Sequence, residues 1–151
     1  MSDSHSAPRS PQILLFACVH NAGRSQMAAA WLNQLADPLA WRAISAGTQP
    51  AERVHPVVVE AMREVGIDLA GIAPQRLTQE LAAGVRLLVT MGCGDECPVI
   101  PGLRREDWPF ADPKAQSLDQ VRKIRDDIRA RVEQFLATES PGSDDLSAVR
   151  T

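Results

Sequence analysis

Three short apolar runs without polar alternation predict three buried strands of a parallel sheet. They cover residues 12–17, 41–46 and 85–90. Strands that are covered on both faces carry continuous apolar sequence, because neither face meets solvent. A fourth, short strand is predicted at residues 108–110, where Pro109 favours a place at the edge of the sheet because proline cannot donate to a central ladder.

Apolar residues three and four positions apart predict helices between these strands. One helix is expected from Arg24 to Leu35, and a second begins near Pro56 and ends before Gly66. Proline suits the first turn of a helix, and glycine suits the position just after its end. A long amphipathic helix closes the fold. Its apolar stripe comprises Leu118, Val121, Ile124, Ile128, Val132 and Phe135.

Strands that alternate with helices predict an α/β fold, with a single-domain parallel sheet of about four strands and helices on both faces. The chain has 151 residues, of which 44% are hydrophobic, and this suits one domain with its own core. We place the domain at residues 12–138. The polar segments 1–11 and 139–151 are expected to be flexible termini.

The net charge and the cysteine content exclude some classes of protein and favour others. The net charge of −3 argues against general binding to nucleic acids or membrane surfaces. Residues 1–11 are rich in serine and proline and resemble neither a secretory signal nor a membrane anchor, so a cytoplasmic location is expected. We also expect a monomer. Three cysteines fit a disulfide scaffold poorly. In a reducing compartment, catalytic, metal-binding or buried thiols are expected instead.

One of these cysteines, Cys18, stands where the first predicted strand ends. The loop that follows it reads Val19, His20, Asn21, Ala22, Gly23, Arg24 and Ser25. Small and turn-prone residues let the backbone curl until successive N–H groups face one concavity, which binds anions. The N-terminus of the next helix adds its dipole at the same place. The pattern therefore predicts an oxyanion site with Cys18 beneath the anion.

The side chains of this loop predict nucleophilic chemistry. Arg24 can hold two oxygens of a tetrahedral anion with its planar guanidinium group. The positive surroundings favour the thiolate of Cys18, and Ser25 can donate a hydrogen bond to its sulfur. The alternative is a buried cysteine that happens to precede a helix. His20 either tunes the loop or packs within it.

The other two cysteines, Cys93 and Cys97, lie four residues apart after the third predicted strand. In a helical turn their side chains come close enough for a disulfide after a modest distortion. The segment therefore predicts a mobile dithiol that carries oxidation away from Cys18. One alternative is half of a zinc site with His20 or His55, although the chain has no further cysteine pair, so no metal is expected. The other is a pair of inert buried residues.

A third loop supplies a candidate general acid. Asp112 precedes a proline, which favours an extended backbone and can hold the carboxylate over the anion loop. An ordinary turn aspartate is the alternative. Because the carboxyl ends of parallel strands meet at one edge of the sheet, we expect the loops 18–25, 91–98 and 110–113 to lie together.

These motifs resemble those of a known superfamily. The loop 18–25 resembles the phosphate-binding loop of low-molecular-weight protein tyrosine phosphatases and of the thioredoxin-coupled arsenate reductases that share their fold. The segment 91–98 resembles the redox segment of the arsenate reductases, and residues 112–113 resemble the Asp-Pro pair with the general acid in both branches. Residues 45–47 resemble a further shared segment. The resemblance extends from about residue 13 to residue 136.

The resemblance implies a low-molecular-weight phosphatase-like fold and an arsenate reductase. In such an enzyme, Cys18 would attack arsenate held by the loop amides and Arg24, and Asp112 would protonate the departing oxygen. Cys93 and Cys97 would then pass the oxidation to thioredoxin. The resemblance also implies no bound cofactor, an external thiol reductant that is thioredoxin or mycothiol, and phosphate or sulfate as competing anions.

The sequence departs from this superfamily at two positions and leaves other functions open. Many relatives have a second loop cysteine at the position of Gly23, and some bind potassium through a glutamate where this chain has Ala29, so that ion is not expected. The rival enzyme is a phosphotyrosine phosphatase. Such enzymes typically carry tyrosines after the Asp-Pro pair, whereas Lys114 stands here in a chain without tyrosine. A third possibility is a non-catalytic oxyanion-binding or redox-sensing module.

Overall fold

The computed structural model describes residues 10–92 and 100–139. Within them, four parallel strands form one sheet in the order β2-β1-β3-β4. The strands are β1 (Gln12–Cys18), β2 (Trp41–Gly47), β3 (Leu87–Thr90) and β4 (Arg105–Asp107). The helices are α1 (Arg24–Leu35), α2 (Pro56–Arg63), α3 (Gln79–Ala82) and α4 (Leu118–Thr138). The predicted α/β class with a four-stranded parallel sheet is confirmed.

Helices cover both faces of the sheet, as predicted. Leu14 and Phe16 of β1 face the larger core, to which α1, α2 and α4 contribute. Leu15 and Ala17 face a smaller cluster that includes Ala82 of α3. Successive side chains of a strand point to opposite faces. The alternation of β1 between two buried clusters therefore explains its continuous apolar sequence.

Helix α2 ends shortly before Gly66, the glycine that the sequence analysis predicted for this position. Gly66 has a φ of +84°. Its N–H donates to the carbonyl of Arg63, and the N–H of Ile67 donates to the carbonyl of Met62, both at 3.0 Å. These two bonds form a Schellman motif, which satisfies carbonyls that the helix end leaves unpaired. Pro56 occupies the first turn of the same helix.

The predicted position of the fourth strand is wrong. The strand forms at Arg105–Asp107 rather than at residues 108–110. Trp108 still donates its N–H to the carbonyl of Thr90 at 2.7 Å, but its ring is only 3% exposed and packs edge-on against Phe16. The large apolar side chain therefore enters the core. The charged residues before it form the edge strand, where one side faces solvent.

The longest helix, α4, has 21 residues and begins with a capping box between Ser117 and Gln120. Arg122 and Arg125 of this helix bind Glu64 beyond the end of α2, at 2.7 and 2.9 Å. The hydrogen bond from Arg122 is the main reason that the pKa of Glu64 falls to about 2. No helix in the described ranges combines the length and the apolar character that crossing a membrane requires.

Candidate active site

The candidate nucleophile lies at the point where the sheet order reverses. Cys18 is the last residue of β1, and β1 has β2 on one side and β3 on the other. In open parallel sheets, ligands bind in the crevice beyond the strand ends at such a point. The thiol is buried, with 2% of the residue exposed. The loop after it leads directly into α1, so the helix N-terminus faces the same crevice.

Hydrogen bonds from neighbouring segments fix the peptide groups of the anion loop. Each carbonyl from residue 18 to residue 23 accepts a hydrogen bond from the segment 48–55 or from α1. The donors are the backbone N–H groups of Thr48, Gln49, Ala51, His55 and Met27 and the side-chain amide of Gln26, at 2.8–3.3 Å. In a planar trans peptide the N–H points away from the carbonyl. The N–H groups of the same peptides therefore point away from the segment 48–55 and from the body of α1, which is the arrangement that an anion-binding nest requires.

Cys18 has a hydrogen-bond partner within this loop. Its sulfur lies 2.9 Å from Ser25 Oγ. Ser25 Oγ also accepts a hydrogen bond from Asn21 Nδ2 at 2.8 Å. A thiolate at Cys18 has no proton to donate, so in that form of the protein the Ser25 hydroxyl is the donor of this contact. A hydrogen bond donated to sulfur stabilises a thiolate, so the geometry supports the predicted role of Ser25.

Asn21 holds the curl of the loop. It has a φ of +52°, which is uncommon for any residue other than glycine, and it is completely buried. Its Oδ1 accepts hydrogen bonds from the backbone N–H of Gln75 at 2.9 Å and from the amide of Gln26 at 3.1 Å. The sequence indicated Asn21 as a turn former but did not reveal Gln26 or Gln75. Gln75 lies 54 residues away along the chain.

Two glycines allow the loop to pack closely against its neighbours. A Cβ atom on Gly47 would lie 2.6 Å from the carbonyl oxygen of Val19, which is closer than real contacts allow. A Cβ atom on Gly23 would lie 2.5 Å from Pro113 Cγ. In this chain, Pro113 therefore occupies the space that a side chain at position 23 would need, which gives a physical reason for the missing loop cysteine.

Arg24 joins the anion loop to the third loop. The residue is 7% exposed, and its Nη1 donates to the carbonyl of Phe110 at 3.2 Å. Its Nη2 lies 3.7 Å from Asp112 Oδ2, and its buried Nε has no hydrogen-bond partner among the described residues. An unpaired buried donor is costly, so it favours an acceptor such as an anion oxygen. A Cβ atom on Gly92 would lie 2.7 Å from Nη1, so glycine leaves room for the guanidinium.

Asp112 presents one carboxylate oxygen to the site. Oδ1 accepts the backbone N–H of Lys114 at 3.0 Å, whereas Oδ2 faces Arg24. The side chain is 44% exposed. Asp112 is thus a turn aspartate and also a neighbour of the anion loop, so the two predicted alternatives coexist. Oδ2 is the oxygen that can carry a proton to a bound anion.

One histidine, His20, belongs to the anion loop, and another, His55, borders it. The N–H of His55 donates to the carbonyl of Ala22, and its ring would touch a Cβ atom on Gly23 at 3.6 Å. Burial lowers the pKa of His55. The nearby Asp112 acts in the opposite direction, and His20 lowers the pKa further. The net effect favours the uncharged form of His55. A direct role for His20 stays a prediction.

The second predicted loop falls largely outside the described residues. Cys93 and Cys97 both lie there, so the dithiol relay stays a prediction from sequence. Gly92, at the start of this loop, does adjoin the site, since it lies against Arg24. Within residues 10–92 and 100–139, no three or more His, Cys, Asp or Glu side chains gather in a way that could hold a metal ion.

Comparison with known proteins gives the family. The sequence model of the low molecular weight phosphotyrosine protein phosphatases matches residues 13–142. The chain belongs to this family. It is 38% identical over 123 residues to a putative arsenate reductase of Halobacterium salinarum, covering 78% of this chain and 85% of that protein. It is 35% identical over 127 residues to an arsenate reductase of Staphylococcus aureus, covering 81% and 94%.

Solved structures have the same fold. The thioredoxin-dependent arsenate reductase of Corynebacterium glutamicum superposes with a TM-score of 0.70 at 33% identity, over 88% of this chain and 63% of that longer chain. An arsenate reductase in the phosphate-binding state gives a TM-score of 0.74 at 31% identity, over 85% and 99%. A low-molecular-weight tyrosine phosphatase from T. tengcongensis gives 0.76 at 21% identity, over 85% and 99%, which shows the fold alone. The predicted superfamily and fold are confirmed.

Proposed function

We propose that this protein is an arsenate reductase that converts arsenate to arsenite by thiol chemistry. The observation that carries the proposal is the 35–38% identity, over about four-fifths of the chain, to proteins named arsenate reductases. The tyrosine phosphatase with the same fold shares only 21% of its residues with this chain. The loop around Cys18 supports a nucleophile and an oxyanion site in either enzyme, so the similarity decides between them.

The first step uses groups that lie close together in the structure. The Cys18 thiolate attacks the arsenic of an arsenate held by the loop amides and Arg24. Asp112 Oδ2 protonates one arsenic-bound oxygen, and that oxygen leaves as water. The product is a covalent thiol-arsenate adduct in which the arsenic is still pentavalent. The position of Asp112 Oδ2, 3.7 Å from Arg24 Nη2, supports the assignment of Asp112 as the acid because it places the carboxylate beside the arginine that would hold the anion.

The reduction itself takes place when the adduct is resolved. The Cys93 thiolate attacks Cys18 Sγ, the sulfur–arsenic bond breaks, and its electron pair stays on arsenic. Arsenite leaves with trivalent arsenic, and two thiols become a Cys18–Cys93 disulfide. Cys97 then attacks Cys93, which frees Cys18 and leaves a Cys93–Cys97 disulfide for the external reductant. This relay rests on the sequence, because both cysteines lie outside the described residues.

We propose thioredoxin as the external reductant, with mycothiol as the alternative. The structural relative from Corynebacterium glutamicum is thioredoxin-dependent, which supports a dithiol protein as the electron donor. A related arsenate reductase has been solved in a phosphate-binding state, which supports phosphate as a competing anion. Because the cycle needs a reducing compartment, we also propose that the protein acts in the cytoplasm. We further propose that it acts as a monomer.

One parallel assay tests the proposal. Arsenate-dependent oxidation of NADPH is measured with thioredoxin and thioredoxin reductase, then with mycothiol and its reducing enzymes, while a phosphotyrosine analogue is offered separately. We expect arsenate turnover that is lost in Cys18→Ser. Hydrolysis of the analogue without any arsenate turnover would assign the protein to the phosphatases. Anion binding without either activity would indicate a binding or sensing module.

A further inference from the structure

Gln26 is a polar side chain within a largely apolar region, and it belongs to the first turn of α1. The residue is 5% exposed. Its Nε2 group donates two hydrogen bonds to a single neighbour, at 3.0 Å to the carbonyl oxygen of Asn21 and at 3.1 Å to Asn21 Oδ1. A buried amide nitrogen that donates to two oxygens of one residue restrains the backbone and the side chain of that residue together.

Asn21 is the loop residue that most needs such a restraint. The other loop carbonyls from residue 18 to residue 23 accept backbone N–H groups, whereas the carbonyl of Asn21 accepts the side chain of Gln26. Asn21 also has a positive φ, a backbone conformation that is uncommon for residues other than glycine. Without Gln26, a buried carbonyl in a strained conformation would lose the hydrogen bond that the structure gives it.

The same contact fixes which way the Asn21 amide points. Oδ1 lies between two donors, the amide of Gln26 and the backbone N–H of Gln75. Nδ2 must therefore face Ser25 Oγ, to which it donates at 2.8 Å. Ser25 therefore has its own proton available for Cys18 Sγ, 2.9 Å away, and is the donor of that contact when Cys18 is a thiolate. Four residues thus form one directed chain of hydrogen bonds that ends at the sulfur.

We propose that Gln26 is a positioning residue of the active site, which acts on Cys18 through Asn21 and Ser25. It holds the anion loop in its curled form and sets the direction of the hydrogen bond to the sulfur. The inference rests on the proposed function only in that Cys18 is the nucleophile. It can therefore be tested by the reactivity of Cys18 and by anion binding, without any arsenate turnover.

The test compares two identical substitutions on one helix. Gln26→Met keeps the length of the side chain and removes its donors, and Gln34→Met makes the same change at an exposed position of α1. The alkylation rate of Cys18 by iodoacetamide is followed by mass mapping, with and without sulfate. For Gln26→Met we expect about tenfold slower alkylation and about tenfold weaker protection by sulfate, since small displacements of an active site cost one to two orders of magnitude. Gln34→Met should match the wild type, and equal behaviour of both variants would overturn the proposal.

A double mutant separates positioning from general packing. Asn21→Gly tolerates the positive φ and removes the side chain through which Gln26 acts. If Gln26 acts through Asn21, adding Gln26→Met to Asn21→Gly should slow alkylation by clearly less than it does in the wild type. Multiplicative effects of the two changes would contradict the proposed chain of hydrogen bonds.

A measurement on the unaltered protein covers the case in which a variant does not fold. The side-chain amide protons of Gln26 should exchange with solvent at least about tenfold more slowly than those of exposed Gln34, because the amide group of Gln26 is buried and hydrogen-bonded. Equal exchange rates in an NMR experiment would refute the inference. Absence of arsenate turnover, with slow exchange and the expected alkylation pattern, would instead refute only the proposed function.

Discussion

The anion loop, residues 18–25, and the Asp112 loop, residues 110–113, meet at the same site but are held in different ways. In the anion loop, Asn21 and Ser25 are fully buried and their side chains take part in hydrogen bonds of 2.8–3.1 Å. In the Asp112 loop the carboxylate is 44% exposed and lies 3.7 Å from Arg24, beyond hydrogen-bond distance. Ala115 nearby has a φ of +62°, which places a non-glycine residue in the left-handed region.

The difference reflects two chemical tasks. A nucleophile and an oxyanion pocket lower a barrier only if they are arranged before the reaction, so a rigid network serves them. A general acid must approach the leaving oxygen and release a proton, and catalytic hydrogen bonds of this kind often tighten only when the substrate is bound. The account therefore predicts that the anion loop controls binding and chemistry together, whereas the Asp112 loop controls chemistry alone.

The largest effect is expected at the link between the two loops. Arg24→Lys keeps the charge but loses the planar guanidinium that spans both regions. We expect kcat/KM for arsenate to fall by about 10²–10³-fold, in the range for removing one oxyanion donor, and sulfate binding to weaken. Steady-state kinetics and calorimetry measure the two quantities. Arg53→Lys, at an exposed position, is the control. Near-native kinetics in folded Arg24→Lys would remove this arginine from the anion site.

A smaller loss with a different signature is expected from the Asp112 loop. Asp112→Asn keeps the turn, since its amide oxygen can still accept the N–H of Lys114, but it has no acidic proton to donate. We expect kcat to fall by about 100-fold, within the range for general acid catalysis, while sulfate binding is unchanged or stronger. A parallel loss of kcat and sulfate affinity would show that the Asp112 loop also contributes to anion binding.

The close packing of the anion loop makes a prediction about stability. Gly47→Ala places a methyl group 2.6 Å from the carbonyl oxygen of Val19, and that oxygen belongs to the backbone. We expect the free energy of unfolding to decrease by about 2 kcal/mol, as for an overpacked core site, with Cys18 alkylation altered as well. Urea denaturation measures the change. Gly71→Ala is a useful contrast, because no atom lies within 4 Å of its Cβ position and only its positive φ opposes the change.

The smallest effect is expected at Glu64, remote from both loops. Its pKa in the folded protein is about 2, below its ordinary value of 4.5, because Arg122 and Arg125 bind the ionised form. The stabilising contribution is therefore fully present above about pH 4.5 and is lost as the pH falls toward 2. The difference in unfolding midpoint between the wild type and Glu64→Gln should shrink over that interval. A difference that is independent of pH would exclude this ion pair as its cause.

The parts of the molecule that local sequence determines were the predictable ones. Helix α1 begins and ends at the predicted residues, Arg24 and Leu35, and Gly66 ends α2 as expected. The edge strand Arg105–Asp107 consists of charged residues and therefore shows no apolar pattern. It forms because it pairs with β3, and the local sequence does not reveal that pairing. The curl of the anion loop was predictable from its small residues.

The supports of the site were less predictable, since they depend on contacts between distant segments. Gln75 reaches Asn21 only because residues 75–77 lie beside the end of β2. A glutamine in the first turn of a helix carries no sign that it will bond to a neighbour with positive φ, so Gln26 gave no signal of its own. The general chemistry of Cys18 and Arg24 follows from their spacing, whereas the residues that hold them follow from the fold.

The central claim is that Cys18 receives the arsenic and that Cys93 removes it, and trapping the intermediate tests this most directly. Cys97→Ser protein is given one equivalent of arsenate without thioredoxin, quenched with acid, and its disulfides are mapped by mass spectrometry. The account predicts one equivalent of arsenite and a Cys18–Cys93 disulfide, because no third thiol can move the oxidation outward. Arsenite release without this disulfide, or no disulfide in a variant that turns over normally with thioredoxin, would contradict it.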